Sequence, residues 1–224
     1  MKVINLKLYQ FKELDRKAKE NALNLYRDIN VNFNWWESVY EDFIWLCACM
    51  GIKVDFNTIY FNDFYSQGAG SCFSAQVDLF KLDTAIQISG WKQYAPDTEF
   101  PFKPLDVNRR VLALIKSGAL NGDTKILART RNYSVTVDLG FYVEMRPGRE
   151  HVRIFDELDK MEAWLNGIAL RLNQHLFSLL RSQYEFLTSD TAIIESELFN
   201  EWLFTADGRT ANHLVELNKR KSQN

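Results

Sequence analysis

The spacing of apolar residues separates helical from extended stretches. Over residues 12–29, Leu14, Ala18, Ala22, Leu25 and Ile29 recur every three or four positions with Lys and Arg on the remaining face, predicting an amphipathic helix packed on the domain. Asn34 is placed to cap a second helix that opens at Trp35-Trp36-Glu37, continues through Val39, Tyr40, Phe43, Ile44, Leu46, Cys47 and Met50, and stops at Gly51. Most of its circumference is apolar, so it is expected to lie sandwiched between other elements, with Glu37, Glu41 and Asp42 along one polar side.

After Gly51 the pattern becomes extended. Residues 52–57 and 58–64, rich in β-branched and aromatic side chains, predict strands, as do residues 74–79. Residues 80–90 fit neither period clearly, and Pro96, Pro101 and Pro104 make 94–104 an irregular crossing. Asp106 is a cap for a helix carrying Val107, Val111, Leu114 and Ile115, ending before Gly118. Residues 123–143 read as two strands or a long hairpin, and Arg146-Pro147-Gly148-Arg149 as a turn.

From Phe155 onward, Leu158, Met161, Leu165, Ile168, Leu172, Leu176, Leu179, Leu180, Tyr184 and Leu187 keep helical spacing. Thirty residues at 1.5 Å each make a helix about 45 Å long, which either braces both halves of the fold or extends into a homodimer through 155–187. Gly167 marks a kink or a close-packing point. Ser189 or Asp190 caps a further helix over 191–198 with Glu195 and Glu197 on its outside, and Trp202 to Phe204 have strand character before an Asp207-Gly208 turn. The expected fold is α+β: a mixed or antiparallel sheet packed with helices, plus a long C-terminal helix. Its expected divisions are an α+β core over 1–153, a helical region over 154–216 packed on that core, and a polar tail over 217–224.

Composition narrows the class. Of 224 residues, 46% are hydrophobic and 25% charged, which excludes global disorder, while 16 Phe, 9 Tyr and 6 Trp exceed what one small core needs and leave rings for a contact surface. The net charge of -2 argues against a protein that coats nucleic acid non-specifically. Charge alternates along the chain, +4 over 1–27, -7 over 28–107, +5 over 108–153 and -4 over 154–224, a pattern that can orient a protein partner or simply pair within the molecule. Three cysteines without a CxxC pair indicate neither a disulfide scaffold nor a four-ligand zinc site. Residues 1–11 alternate in polarity and no apolar run reaches 18, so neither signal peptide nor membrane span is expected, and a cytoplasmic location follows.

The densest chemical information lies in Tyr65-Ser66-Gln67-Gly68-Ala69-Gly70-Ser71-Cys72-Phe73. Its glycines permit an anion nest, but the full GxxxxGK pattern of a nucleotide triphosphate loop is missing. The loop therefore reads as a structural turn or as a partner contact in which Tyr65 supplies a ring and Ser66 and Gln67 supply directional hydrogen bonds, with Gly68 and Gly70 shaping the backbone. Trp35 and Trp36 join it as candidate partner-binding rings. Arg109, Arg110, Arg129, Arg131 and Arg149, with Tyr133 among them, are candidate nucleic-acid-binding residues. Cys72 has no adjacent histidine to activate it, and His151, His175 and His213 have no zinc-protease spacing, so no catalytic residue, metal ligand or cofactor site is assigned.

Four blocks carry a resemblance: Trp35-Trp36-Glu37 through Tyr40-Glu41-Asp42, Phe64 through Phe73, Tyr184-Glu185-Phe186-Leu187-Thr188-Ser189-Asp190, and Phe204-Thr205-Ala206-Asp207-Gly208-Arg209. In this order they resemble an uncharacterised family of phage and prophage proteins, some described as antitoxins of toxin-antitoxin stability systems. Those proteins commonly carry Gly-Asp-Gly where this chain has Gly68-Ala69-Gly70, so the loop here lacks a carboxylate that could bind metal or act as a base. The resemblance implies a non-enzymatic, anti-defence inhibitor that occludes a host defence or toxin protein by protein-protein interaction. The alternatives are a nucleic-acid-binding regulator using residues 109–153, and a small hydrolase or nuclease using Glu37, Glu41 or Cys72. No membrane partner is expected.

Overall fold

A computed structural model describes residues 6–142 and 152–214. The chain forms two compact units, one from residues 1–36 with 182–224, the other from residues 37–181. The division falls elsewhere than at residue 153, because the apolar stripe of the long helix up to residue 180 is buried in the sheet-bearing unit.

In the first unit, strand β1 (Tyr9–Gln10) leads to helix α1 (Arg16–Leu25), whose first turn is capped by Asp15, accepting the Ala18 N–H at 2.8 Å. Phe11, Leu14, Ala18, Ala22 and Phe204 form the core, with Tyr26 and Trp202 meeting edge to face against it. The C-terminal part of this unit is helix α6 (Asp190–Phe199) and strand β8 (Leu203–Phe204), the latter antiparallel to β1. Side chains tie these segments together: Arg27 donates to the Thr188 carbonyl and to Asp190, both at 3.0 Å, and Ser196 donates to Asn30 at 2.7 Å. Glu195 is on the outside of α6 as its position suggests, but Glu197 is not. It follows Ile193 by one helical turn on the inward stripe and is buried.

The second unit is built on an antiparallel sheet of order β2-β5-β6-β7, from Ile52–Val54, Ala75–Val77, Asn121–Arg129 and Ser134–Tyr142. Strict alternation puts Ile52, Val54, Ala75, Ile126, Val135 and Val137 inward, while Lys53, Gln76, Lys125 and Asp138 lie in one register row on the other face. A short ladder, β3 (Tyr60–Phe61) with β4 (Ser71–Cys72), carries the loop between them. The expected 58–64 strand is shorter because Asp55 accepts the Asn57 N–H and Thr58 folds back on the Asp55 carbonyl, making a tight helical turn at Phe56–Thr58.

Helix α2 (Glu37–Ala48) buries Val39, Tyr40, Phe43, Leu46 and Cys47, with Phe43 edge-on to Phe73 at 5.1 Å. It is not covered all round, since Trp45 is 63% exposed. Residues whose period was indistinct form helix α3 (Leu79–Gln87), capped by Asp78 and buried through Leu79, Leu82, Ala85 and Ile86; exposed Phe80 and Ile88 blur its stripe. Helix α4 (Arg109–Lys116) is capped by Asn108, accepting from the Arg110 N–H at 2.9 Å, instead of by Asp106. The Pro-rich crossing packs Phe100 on Phe102 as a stacked pair against Trp91.

Helix α5 (Val152–Leu187) runs 36 residues, unbroken at Gly167, where a Cβ would meet open space and not a packed neighbour. Met161, Leu165, Ile168, Leu172, Leu176 and Leu180 are buried in the second unit, so this stripe is occupied by the chain's own core and is not a bare dimer seam. The class is therefore α+β with antiparallel sheets and a long C-terminal helix. Among the described residues no helix is long and apolar enough to cross a membrane. Residues 217–224 and the 146–149 turn lie outside the described residues.

Candidate functional site: a pinned loop with an outward tyrosine

The 62–70 loop is organised by two consecutive short polar residues. Asn62 closes its base: its side-chain amide donates to the Gly68 carbonyl at 3.0 Å, its Oδ1 accepts the Gly70 N–H at 2.7 Å, and its main-chain N–H donates to the Gly70 carbonyl at 3.2 Å. Asp63 makes the first turn: Oδ1 accepts the N–H groups of Tyr65 and Ser66 at 3.0 and 2.7 Å, and Oδ2 accepts the Ser66 hydroxyl at 2.6 Å. The Ser66 hydroxyl, then the two N–H groups, hold the Asp63 carboxyl below its ordinary range.

These bonds set adjacent rings on opposite sides. Phe64 points inward, stacked on Phe61 at 5.6 Å and tilted against Phe177 at 5.5 Å. Tyr65 points out, 68% exposed, with the Arg181 guanidinium 5.5 Å from its ring centroid. Ser66, Gln67 and Gly68 are exposed, and Gly68 adopts φ +96°, a conformation L side chains resist.

Beneath the loop, Ser71 is fully buried and its hydroxyl donates to Asn173 on α5, at 2.9 Å to Oδ1 and 3.0 Å to the carbonyl, while the Asn173 amide donates to the Ser71 carbonyl at 2.7 Å. Gly70 passes so close to the β6-β7 turn that an added Cβ would lie 2.9 Å from the Tyr133 carbonyl oxygen. Tyr133, at φ +46°, is half-buried; Arg131 in the turn it ends and Arg129 at the end of β6 are exposed. One partner-loop candidate and one nucleic-acid candidate are thus neighbours.

The other candidates separate. Trp35 is buried, 6.0 Å from Trp36 edge to face and 5.8 Å from Tyr184, so it packs the first unit and is not available as a contact ring; Trp36 is half-buried. Arg109 and Arg110 are exposed at the start of α4, where the Asn108 N–H donates to Glu157 on α5. The Tyr133 turn sits by Gly70, next to the residue bound to Asn173. Sixteen helical residues separate Glu157 from Asn173, about 24 Å along α5, so the two arginine pairs do not share one groove. Arg149 lies outside the described residues.

Cys72 is fully buried, and burial raises its thiol further from ionisation, the opposite of an activated nucleophile. His175 is packed edge-on to Phe100 at 5.1 Å, and burial lowers its pKa. Glu37, Glu41 and Asp42 are exposed, the last accepting the Tyr94 hydroxyl at 2.6 Å, and among the described residues no three His, Cys, Asp or Glu side chains group to hold a metal. Sequence reasoning missed Asn62, Asp63, Asn173 and Arg181. The Asn-Asp pair ahead of Phe64 is a local turn signal. Asn173 has none, its partner being 102 residues away.

Fold and site define an α+β protein with a hydrogen-bonded loop that presents one aromatic ring to solvent. Residues 35–190 match the family described as Domain of unknown function (DUF8835), and the chain belongs to that family; the match encloses the whole second unit and its loop. No curated protein and no solved structure matches.

Proposed function

We propose that this protein is a non-catalytic binder that engages a protein partner through Tyr65, Ser66, Gln67 and Gly68. The observation that carries this reading is the opposition of Phe64 and Tyr65: one ring anchors the loop while the next is held in water by bonds already made. A large ring held outward against water is compatible with recognition, since the ordering cost of binding is already met. Arg181 at Tyr65, and Arg129 and Arg131 at the hairpin end beside Gly70, favour a partner with acidic or polar character at its contact. The resemblance to phage and prophage antitoxin-like proteins supplies the target class, a host defence or toxin protein neutralised by occlusion.

The test is parallel capture from nuclease-treated bacterial lysate with the tagged full chain and with a Tyr65→Ala/Gln67→Ala variant. A near-stoichiometric protein retained by the first and reduced at least tenfold with the second supports the reading. Equal retention by both overturns the loop as its site. A second reading, single-stranded nucleic acid at the hairpin turn, draws on the adjacency of Arg129, Arg131 and Tyr133 to the loop. It requires salt-sensitive binding that is lost in Arg129→Ala/Arg131→Ala.

A further inference from the structure

The first unit contains a pocket of about 410 Å³ bounded by Gln10, Phe11, Glu197, Glu201, Trp202 and Leu203. Glu197 is 1% exposed, and among the described residues neither of its carboxylate oxygens has a hydrogen-bond partner. Its main chain is satisfied, since the Trp202 N–H donates to the Glu197 carbonyl at 3.1 Å, so the orphaned group is the side chain alone. Native proteins pair nearly all buried polar atoms, and a buried carboxylate left bare is a strong exception.

The surroundings are electrically one-sided. Glu197 lies in the last turn of α6, where helix carbonyls present partial negative charge, and no basic residue occupies that turn. Glu201, exposed and held at φ +52°, adds a second carboxylate to the wall. Phe11 and Trp202 supply apolar ring surface, and Gln10 an amide. A calcium or magnesium ion needs six or more oxygens at short range, which a wall with three apolar side chains, Phe11, Trp202 and Leu203, does not offer. Two carboxylates with aromatic walls instead suit a cation that donates hydrogen bonds from an apolar stem.

We propose that this pocket binds an organic cation, an alkylammonium or alkylguanidinium group, with Glu197 as its counter-ion and Glu201 at its side. The volume admits a ligand with a stem of several carbons. The group is carried either by a free amine or by a basic side chain of a peptide.

The probes are agmatine, Nα-acetyl-lysine methylamide and Nα-acetyl-arginine methylamide, titrated into the full chain by calorimetry, with uncharged Nα-acetyl-norleucine methylamide and calcium and magnesium chloride for comparison. At least one cationic probe is expected to bind at millimolar concentration or below while norleucine does not. Agmatine alone identifies a free amine, and the capped amino acids identify a peptide side chain. Glu197→Gln is expected to weaken binding at least tenfold, and Glu195→Gln, on the exposed side of α6, to leave it unchanged. Glu201→Lys places an internal ammonium at the exposed wall and is also expected to cost at least tenfold; it decides the matter if Glu197→Gln does not fold. No binding by any cationic probe, binding of metal ions only, equal binding of norleucine, or full affinity in a folded Glu197→Gln protein overturns the proposal.

Discussion

Gly70 lies against the main chain of Tyr133, at a distance where a methyl group on Gly70 would stand 2.9 Å from the Tyr133 carbonyl oxygen and 3.1 Å from its Cβ. The contact joins the base of the exposed loop to the turn of the β6-β7 hairpin. Tyr133 holds a left-handed conformation that costs a non-glycine residue about 1 kcal/mol or more, so the turn cannot shift freely to make room. Gly70→Ala is expected to lose about 1–3 kcal/mol by overpacking, measured as a lower denaturant midpoint with unchanged slope.

The buried pair Ser71 and Asn173 ties the loop to α5. Removing the Ser71 hydroxyl leaves Asn173 Oδ1 without that donor in a site closed to water. Ser71→Ala is expected to cost about 1–3 kcal/mol, and adding Asn173→Leu is expected to cost less than the two single changes together. Urea denaturation of the four proteins forms the double-mutant cycle that checks this.

Asp63 carries the turn as an anion. Its carboxyl titrates below the usual range because the Ser66 hydroxyl and the N–H groups of Ser66 and Tyr65 favour the charged form. The folded pKa is depressed, so this stabilisation is present above the ordinary value of about 3.9 and is lost as pH falls through the lower folded value. Amide protection factors at Tyr65 and Ser66 are expected to be flat from about pH 5 to 7 and to fall below about pH 4. Asp63→Ala is expected to remove that protection at every pH while leaving protection in β6 and β7 intact.

Glu197 gives the opposite slope. Burial raises its pKa from 4.5 to about 7, so the folded chain holds a proton that the unfolded chain has released between those values. Stability from this group is full below pH 4.5 and declines as pH rises to about 7. Glu197→Gln is expected to flatten this part of the curve and to be more stable than the parent at pH 8, checked by thermal melts across the range. A cation that binds the pocket is expected to release a proton from the parent below pH 7, seen as a buffer-dependent calorimetric enthalpy.

Much of the architecture follows from local pattern. The period of 155–187 specifies α5, the alternation on either side of residues 130–133 specifies the hairpin, and both survive any change of partner because each depends on neighbours within a turn or across one ladder. The Asn62-Asp63 pair and Gly68 likewise encode a loop before any tertiary contact forms. What the pattern leaves open is direction. Phe64 and Tyr65 are both aromatic and adjacent, and only packing against Phe61 and Phe177 decides which ring is buried. Trp35 reads as a contact ring until Tyr184, far along the chain, covers it. Glu197 reads as an outer residue, yet the inward face of α6 carries it into the interior, where its carboxylate has no hydrogen-bond partner among the described residues. Identity and spacing thus set the elements, while burial, which depends on residues distant in sequence, decides which of their side chains are left to meet another molecule.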